Sequence, residues 1–270
     1  MVSASVGRTE VVVKVEGNVA LVTGGASGLG KATATYMHSR GAKVVILDRD
    51  AEGAARVAAQ LGDGAVGVGG SILEEADVAH AIEAAQGLGP LRMCFAIAGG
   101  GVPGGGRLVN RDGTPHALEP FVRTVELNLV GTFNTVRLAA AAMSALAPAN
   151  EDGERGAIVM TASIAGLEGQ IGQISYGSAK AGIIGMTIIA ARDLAAVGVR
   201  VNCIAPGTML TEAWGNVRSK VQETLEAKVP FPRRFGKPEE FAKLAEHLVT
   251  NEYLNGYVFR LDGAIRFDPK

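Results

Sequence analysis

The chain has little of what marks a secreted, metal-dependent or nucleic-acid-binding protein. Its two cysteines in 270 residues, Cys94 and Cys203, both fall inside apolar runs that read as strands. Neither a disulfide framework nor a thiolate metal site is expected of them, and buried free thiols suit a reducing compartment. The four histidines, His38, His80, His116 and His247, lack the spacing of a metal-ligand set, so no metal is expected. An excess of one charge is also missing: 26 Lys+Arg against 27 Asp+Glu leave a net charge of −1. With no basic run besides, binding to nucleic acid through phosphate neutralisation is not expected. No apolar stretch reads as long enough to span a bilayer, which sets a membrane aside as a partner. Residues 1–16 lack the charged-then-apolar order of a signal peptide and are too acidic for a convincing import sequence. They read as an N-terminal extension, residues 17–270 read as a single domain, and the expected location is cytoplasmic, or the mitochondrial matrix if the source is eukaryotic.

What the chain has in quantity is apolar residues, 47%, and glycine, 37 residues. Strand-like runs are expected near Val19–Thr23, Lys43–Leu47, Ala65–Val68, Arg92–Ile97, Gly156–Thr161, Val199–Ala205 and Tyr257–Leu261. Helical patterns separate them, near Gly30–Ser39, Ala51–Gln60, Glu74–Ala85, Leu118–Ala145, Tyr176–Val197 and Pro238–Val249. This alternation predicts an α/β fold: one Rossmann-like, doubly wound parallel sheet of about seven strands with helices on both faces. Ligands of such sheets bind beyond the carboxyl ends of the strands, where the strand order reverses.

The first strand runs straight into Gly24-Gly25-Ala26-Ser27-Gly28-Leu29-Gly30 and then into a helical pattern. Glycines there permit tight curvature and close approach, and free N–H groups at the helix start attract a pyrophosphate. Gly24, Ser27, Gly28, Leu29 and Gly30 are therefore candidate dinucleotide contacts. The second strand ends in Asp48, about 20 residues on, where a carboxylate accepts from both hydroxyls of an adenosine ribose and repels a 2′-phosphate. NAD(H) is the cofactor expected, although Arg49 follows directly.

Farther along, Ser163 ends a strand and Tyr176-Gly177-Ser178-Ala179-Lys180 opens a long apolar helix. Positions i and i+4 share a helix face, so the Lys180 ammonium is expected beside the Tyr176 ring. A neighbouring cation lowers a phenol pKa and would fit Tyr176 as a general acid or base. A Tyr-x-x-x-Lys pair alone is common on solvated helix surfaces; its company gives it weight. Asn128 lies within the long helical stretch 118–145, where asparagine is a poor helix former, and is expected to mark a local opening that holds water for a proton relay to Lys180.

These residues carry a resemblance. Thr23-Gly24-x-x-x-Gly28-x-Gly30, Asn128 in Glu126-Leu127-Asn128-Leu129, Ser163, Tyr176-x-x-x-Lys180 and Pro206-Gly207 resemble, in order and spacing, the motifs of the classical short-chain dehydrogenase/reductase family. Glu168-Gly169-Gln170-Ile171-Gly172-Gln173, Val229-Pro230-Phe231-Pro232 and Leu261-Asp262-Gly263-Ala264-Ile265-Arg266 are similar to its 3-hydroxyacyl-CoA dehydrogenase branch. The resemblance implies Asn128, Ser163, Tyr176 and Lys180 as the catalytic set, with Tyr176 and Lys180 also touching the cofactor. It further implies cofactor contacts at Ser71, Ile72, Ala98, Gly99, Pro206, Gly207, Thr208 and Met209. Two departures stand out: Ser71 replaces the family's usual aspartate, and Ala96-Ile97 replaces its Asn-containing strand end. The implied activity is NAD-dependent interconversion of (S)-3-hydroxyacyl-CoA and 3-oxoacyl-CoA in a homotetramer. An NADPH-dependent 3-oxoacyl-carrier-protein reductase, a hydroxysteroid dehydrogenase and a non-catalytic NAD-binding scaffold are the alternatives.

Substrate contacts are the least legible. Ser163 and Tyr176 should meet the reacting oxygen. Gln170 and Gln173 read equally as lining for the reacting end or as turn formers, and Gln170 is carried as a substrate candidate. Leu210, Trp214, Val217, Val221, Leu225 and Phe231 have helical apolar spacing, which fits either a lid over a lipid-like chain or a helix docked on the sheet. Arg107 and Arg111 are candidates for the CoA phosphates by charge alone, and the glycine-dense run 99–106 reads as a mobile rim.

Overall fold

Strands buried on both faces read as unbroken apolar runs, and the computed structural model, which describes residues 14–212 and 220–269, places seven of them in one parallel sheet. In chain order the elements are β1 (Val19–Thr23), α1 (Gly28–Ser39), β2 (Lys43–Asp48), α2 (Ala51–Leu61), β3 (Ala65–Gly69), α3 (Glu75–Leu88) and β4 (Leu91–Ala96). Then come α4 (Leu118–Val125), a π-helical turn (Glu126–Val130), α5 (Gly131–Ser144), β5 (Gly156–Thr161), α6 (Ala165–Glu168), α7 (Ile174–Ala195) and β6 (Val199–Pro206). The last are α8 (Lys220–Ala227), α9 (Pro238–Thr250) and β7 (Val258–Leu261). The sheet order is β3-β2-β1-β4-β5-β6-β7, so the order reverses between β1 and β4 and a crevice opens at their carboxyl ends.

Alternate side chains of each strand feed two cores. Leu21, Val45, Ile158 and Val201 pack with Ile82, Met143 and Ile183 of α3, α5 and α7. Val22, Ile46, Val159 and Ile204 pack with Met37, Phe241 and Leu248 of α1 and α9. Val15, read from sequence as part of an extension, already belongs to this second core at 6% exposure, so the packed unit reaches back past residue 17.

Two expectations are corrected here. The helix expected over Leu118–Ala145 is interrupted by the π-turn. The Thr124 and Thr132 hydroxyls donate to the carbonyls of Pro120 and Asn128, and the Asn128 amide donates to Thr124 O at 3.0 Å. These side chains occupy carbonyls that a regular helix would bond with backbone N–H groups, and a turn of wider pitch results. Second, α7, with 22 residues, is long and apolar enough by composition to cross a membrane, contrary to the sequence reading. Here one face of it is buried, through Ala179, Lys180, Ile183, Thr187 and Ala191, and it packs on β6, α4 and α6.

The apolar stripe read at 210–231 is buried at none of its described members, of which Leu225 is half-buried. Among its described members Leu210, Val221 and Phe231 are exposed, and the buried residue of α8 is Gln222. Trp214 and Val217 lie outside the described residues.

Candidate active site

The site begins where β1 hands the chain to α1. The N–H groups of Ile97 and Ala98 donate to Thr23 Oγ1 at 3.1 and 3.2 Å, which fixes the β4 end against the β1 end. Gly30 is packed so tightly that a Cβ there would overlap Gly24 O. The Asp48 carboxylate lies at the end of β2 and accepts from Ala26 N and Asp50 N, each at 3.0 Å. It therefore braces the glycine turn as well as facing the crevice. The cap of α2 is a different carboxylate, that of Asp50, which accepts from Gly53 N.

A cleft of about 850 Å³ runs from this turn to the β5 and β6 ends, a size suited to a small-molecule ligand. It brings together Gly24, Ser27, Gly28, Leu29, Gly30, Asp48, Ser71, Ile72, Ala98, Gly99, Pro206, Gly207, Thr208 and Met209, with Ser163, Tyr176 and Lys180 across from them. Ser71 uses its hydroxyl locally, accepting from Leu73 N at 3.2 Å, and its own N–H is held by the Asp77 carboxylate at 2.8 Å.

Asn128 stands behind the wall, fully buried. Its amide oxygen accepts from Gly100 N at 2.9 Å and its NH₂ donates to Gly100 O at 2.9 Å. The expected opening exists as the π-turn, but the side chain is spent on clamping the start of the glycine-dense loop. Gly99 has φ +150° and presses on that amide, with no room for a Cβ beside Asn128 Oδ1.

Tyr176 and Ser163 line the cleft together, the Ser163 hydroxyl near enough to act on the phenol, and Lys180 Nζ donates to Thr161 O at 2.9 Å. The ammonium lies over the phenol ring, 5.6 Å from its centroid. Burial pushes the Tyr176 phenol above the usual range, and the neighbouring Ser163 hydroxyl pulls the other way. The expected lowering by Lys180 is thus corrected, because spacing predicts a neighbour and says nothing of desolvation. Lys180 itself is driven down to about 8 by burial. The buried thiols of Cys94 and Cys203 are pushed up to about 12 and about 11 and are unreactive.

Gln170 is not in this cleft. It lines a shallower hollow of about 770 Å³ with Leu167, Ile171, Gln173 and Ala181, and its amide is engaged by Gln173 at 3.0 Å and by Asp268 O at 3.4 Å. Its contact with Asp268 O ties it to the segment after β7 and not to the cleft that holds Tyr176. Arg107 borders the same hollow.

The cleft also holds residues the sequence reading passed over: Ile97, Arg123, Leu127, Thr161, Thr211 and Glu212. Thr211 and Glu212 stand four and five residues past Gly207, close enough for an extended chain leaving a strand end to stay at the same crevice. A fit test for a dinucleotide is met by three observations. Ser27 makes no side-chain cap bond, the first turn of α1 has no acid, and Ser27 to Gly30 line the cleft. A carboxylate, that of Glu212, already sits on Gly28 N at 2.8 Å as a stand-in anion. Asp48 lines the same cleft at the end of β2, the strand end from which an acid reaches the ribose in such folds.

Comparison with known proteins agrees with this geometry. The profile of the family described as short chain dehydrogenase matches residues 18–222. The human protein named 3-hydroxyacyl-CoA dehydrogenase type-2 is 43% identical over 256 residues, 94% of this chain and 97% of its own. A crystal structure of 3-hydroxyacyl-CoA dehydrogenase type-2 from Mycobacterium avium superposes with a TM-score of 0.91 at 51% identity, covering 94% of this chain and 98% of that one. A 7α-hydroxysteroid dehydrogenase solved with NADH and 7-oxo glycochenodeoxycholic acid gives 0.82 at 28% identity, covering 96% and 98%. With its reversed sheet order, its glycine turn and its Ser163, Tyr176 and Lys180 across one cleft, the chain belongs to the short-chain dehydrogenase family.

Proposed function

We propose that the protein is an NAD(H)-dependent oxidoreductase that interconverts a secondary alcohol and a ketone, with (S)-3-hydroxyacyl-CoA and 3-oxoacyl-CoA as its substrate pair. The observation that carries the chemistry is the grouping of Ser163, Tyr176 and Lys180, the ammonium over the phenol ring, in the same cleft as the glycine turn. The acyl-CoA assignment rests on the relatives' names.

The nicotinamide cofactor, when bound, supplies or takes the hydride. Gly24 to Gly30 would hold its pyrophosphate, Asp48 its adenosine ribose, Ile72 and Ala98 its adenine, and Pro206 to Met209 would pass along its nicotinamide end. The protein's own part is acid–base. In oxidation Tyr176 Oη takes the proton of the substrate hydroxyl, and in reduction it returns that proton to the carbonyl oxygen. Ser163 donates to the same oxygen, where negative charge grows. Lys180 keeps a positive charge next to the phenol, and its contact with Thr161 O fixes its reach. Burial holds the Tyr176 phenol protonated at neutral pH, the form that donates to the carbonyl oxygen, so its removal should be felt in the reductive direction.

Exposed Phe133 on α5 and exposed Ile188 and Ile189 on α7 support a homotetramer paired through these helices, and the two buried free thiols suit a cytoplasmic or other reducing compartment. The test follows nicotinamide absorbance with acetoacetyl-CoA, comparing NADH with NADPH on the wild type and on Tyr176→Phe. We expect NADH to be preferred, and turnover to fall by about 10²–10⁴ in the variant with NADH binding retained. Preference for NADPH would transfer the cofactor role from Asp48 to Arg49, which also lines the cleft. Binding of NADH without turnover on any acyl-CoA would remove the substrate assignment.

A further inference from the structure

Past β6 the chain is pinned before it reaches the glycine turn. Leu210 N donates to Gly236 O at 2.8 Å and Gly236 N to Thr208 O at 3.0 Å, a bridge that aims the next residues across the cleft. Two residues on, Glu212 extends an exposed side chain to α1 and accepts from Gly28 N at 2.8 Å, a contact spanning 184 positions of sequence. The α1 start has been left open for an anion: Ser27 makes no side-chain cap bond and no acid lies in the first turn. Thr211 lies close by, its Cγ2 within 3.4 Å of where a Gly28 Cβ would be.

The N–H groups at a helix start attract negative charge, and one such group cannot serve two anions. We propose that Glu212 is an internal stand-in for the cofactor's pyrophosphate, a residue that satisfies the α1 start in the free protein and must leave it when the cofactor arrives. This rests on the cofactor reading of the cleft. Two consequences follow from the competition. Every ligand that brings a phosphate to the glycine turn binds more weakly than the turn alone would allow, by the work of displacing the carboxylate. Release is also assisted, because Glu212 can take back Gly28 N as the pyrophosphate leaves. Glu212 thereby tunes cofactor exchange without touching the reacting atoms.

The test titrates the wild type, Glu212→Ala and Glu212→Gln with NADH, with ADP and with adenosine, and measures NADH dissociation by stopped flow. The expected result is a Kd for NADH and for ADP about five- to thirtyfold lower in Glu212→Ala, the span that one charge-assisted hydrogen bond to a helix N-terminus supports. NADH dissociation slows in step, and Glu212→Gln falls between the two because it keeps an acceptor without the charge. Adenosine, which brings no phosphate, binds all three proteins alike. Added salt should narrow the gap, since the carboxylate is exposed. An NADH Kd in Glu212→Ala equal to or higher than that of the wild type overturns the proposal while leaving the cofactor reading intact. So does a shift for adenosine as large as for ADP, which would mean a general loosening. Failure of NADH and ADP to bind any of the three overturns the cofactor reading, and this proposal with it.

Discussion

Replacing Lys180 with Met should stabilise the protein while abolishing its chemistry. The side chain is 3% exposed, and burial drives its ammonium from an ordinary 10.5 to about 8. At about 1.4 kcal/mol per tenfold change in proton affinity, the buried charge costs about 3 kcal/mol of stability near neutral pH. Methionine fills a similar volume without charge, but it leaves Thr161 O without the donor now at 2.9 Å, a loss of about 1–2 kcal/mol. The net expectation is a gain of about 1–2 kcal/mol at about pH 7. The sign with pH is fixed by linkage. Between about 8 and 10.5 the unfolded chain binds the proton and the folded one does not, so wild-type stability rises with pH through that window. The variant lacks this rise, and by about pH 9.5 its advantage should shrink by about 2 kcal/mol and be gone. Guanidinium unfolding followed by circular dichroism at the two pH values gives both numbers. A variant less stable than the wild type at neutral pH, with the same change between the two, would refute the reasoning and mean that the ammonium is better solvated by its carbonyl than its burial implies.

Two further outcomes test the frame around the site. Asn128→Ala removes three hydrogen bonds with backbone groups, so the protein should lose about 2–4 kcal/mol; amide exchange should rise at Gly100 and the loop after it, while the α1 turn stays protected. Gly30→Ala drives a methyl into Gly24 O and should raise the Kd for NADH at least tenfold, about 1.4 kcal/mol, with β1 and β2 intact by circular dichroism, whereas unchanged affinity would mean that the turn yields freely.

The sheet was readable because parallel strands buried on both faces leave unbroken apolar runs, as in Val19–Thr23 and Gly156–Thr161, and the observed bounds differ from the expected ones by a residue or so elsewhere. The cofactor turn was readable because its glycines and Asp48 are local features of strand ends. Longer-range facts were not. The π-turn left one trace, an asparagine in a helix, and its cause is a set of side chains reaching backbone carbonyls that only coordinates reveal. Glu212 meets Gly28 across 184 positions, which no local pattern announces. Gln170 was misplaced because a turn of five residues can face either way, and the segment 262–269 decides which. The direction of the Tyr176 shift was misread for a related reason: helical spacing puts Lys180 near the ring, while burial is a property of everything packed around it.

The π-turn also sets which changes of chain length this protein can absorb. It is an α-helix carrying one residue in excess, so a single-residue deletion between Thr124 and Thr132 would relax it to regular pitch and leave the turns on either side nearly in phase. What it would take away is the widened turn that sets Asn128 against Gly100, while α4 kept the same side toward α7. The loop at 99–117, lying between β4 and α4, has no such turn to keep. Gaps among relatives should therefore gather in that loop, where added length changes closure entropy only slowly, and be absent from the nine-residue stretch Thr124–Thr132 that holds the clamp.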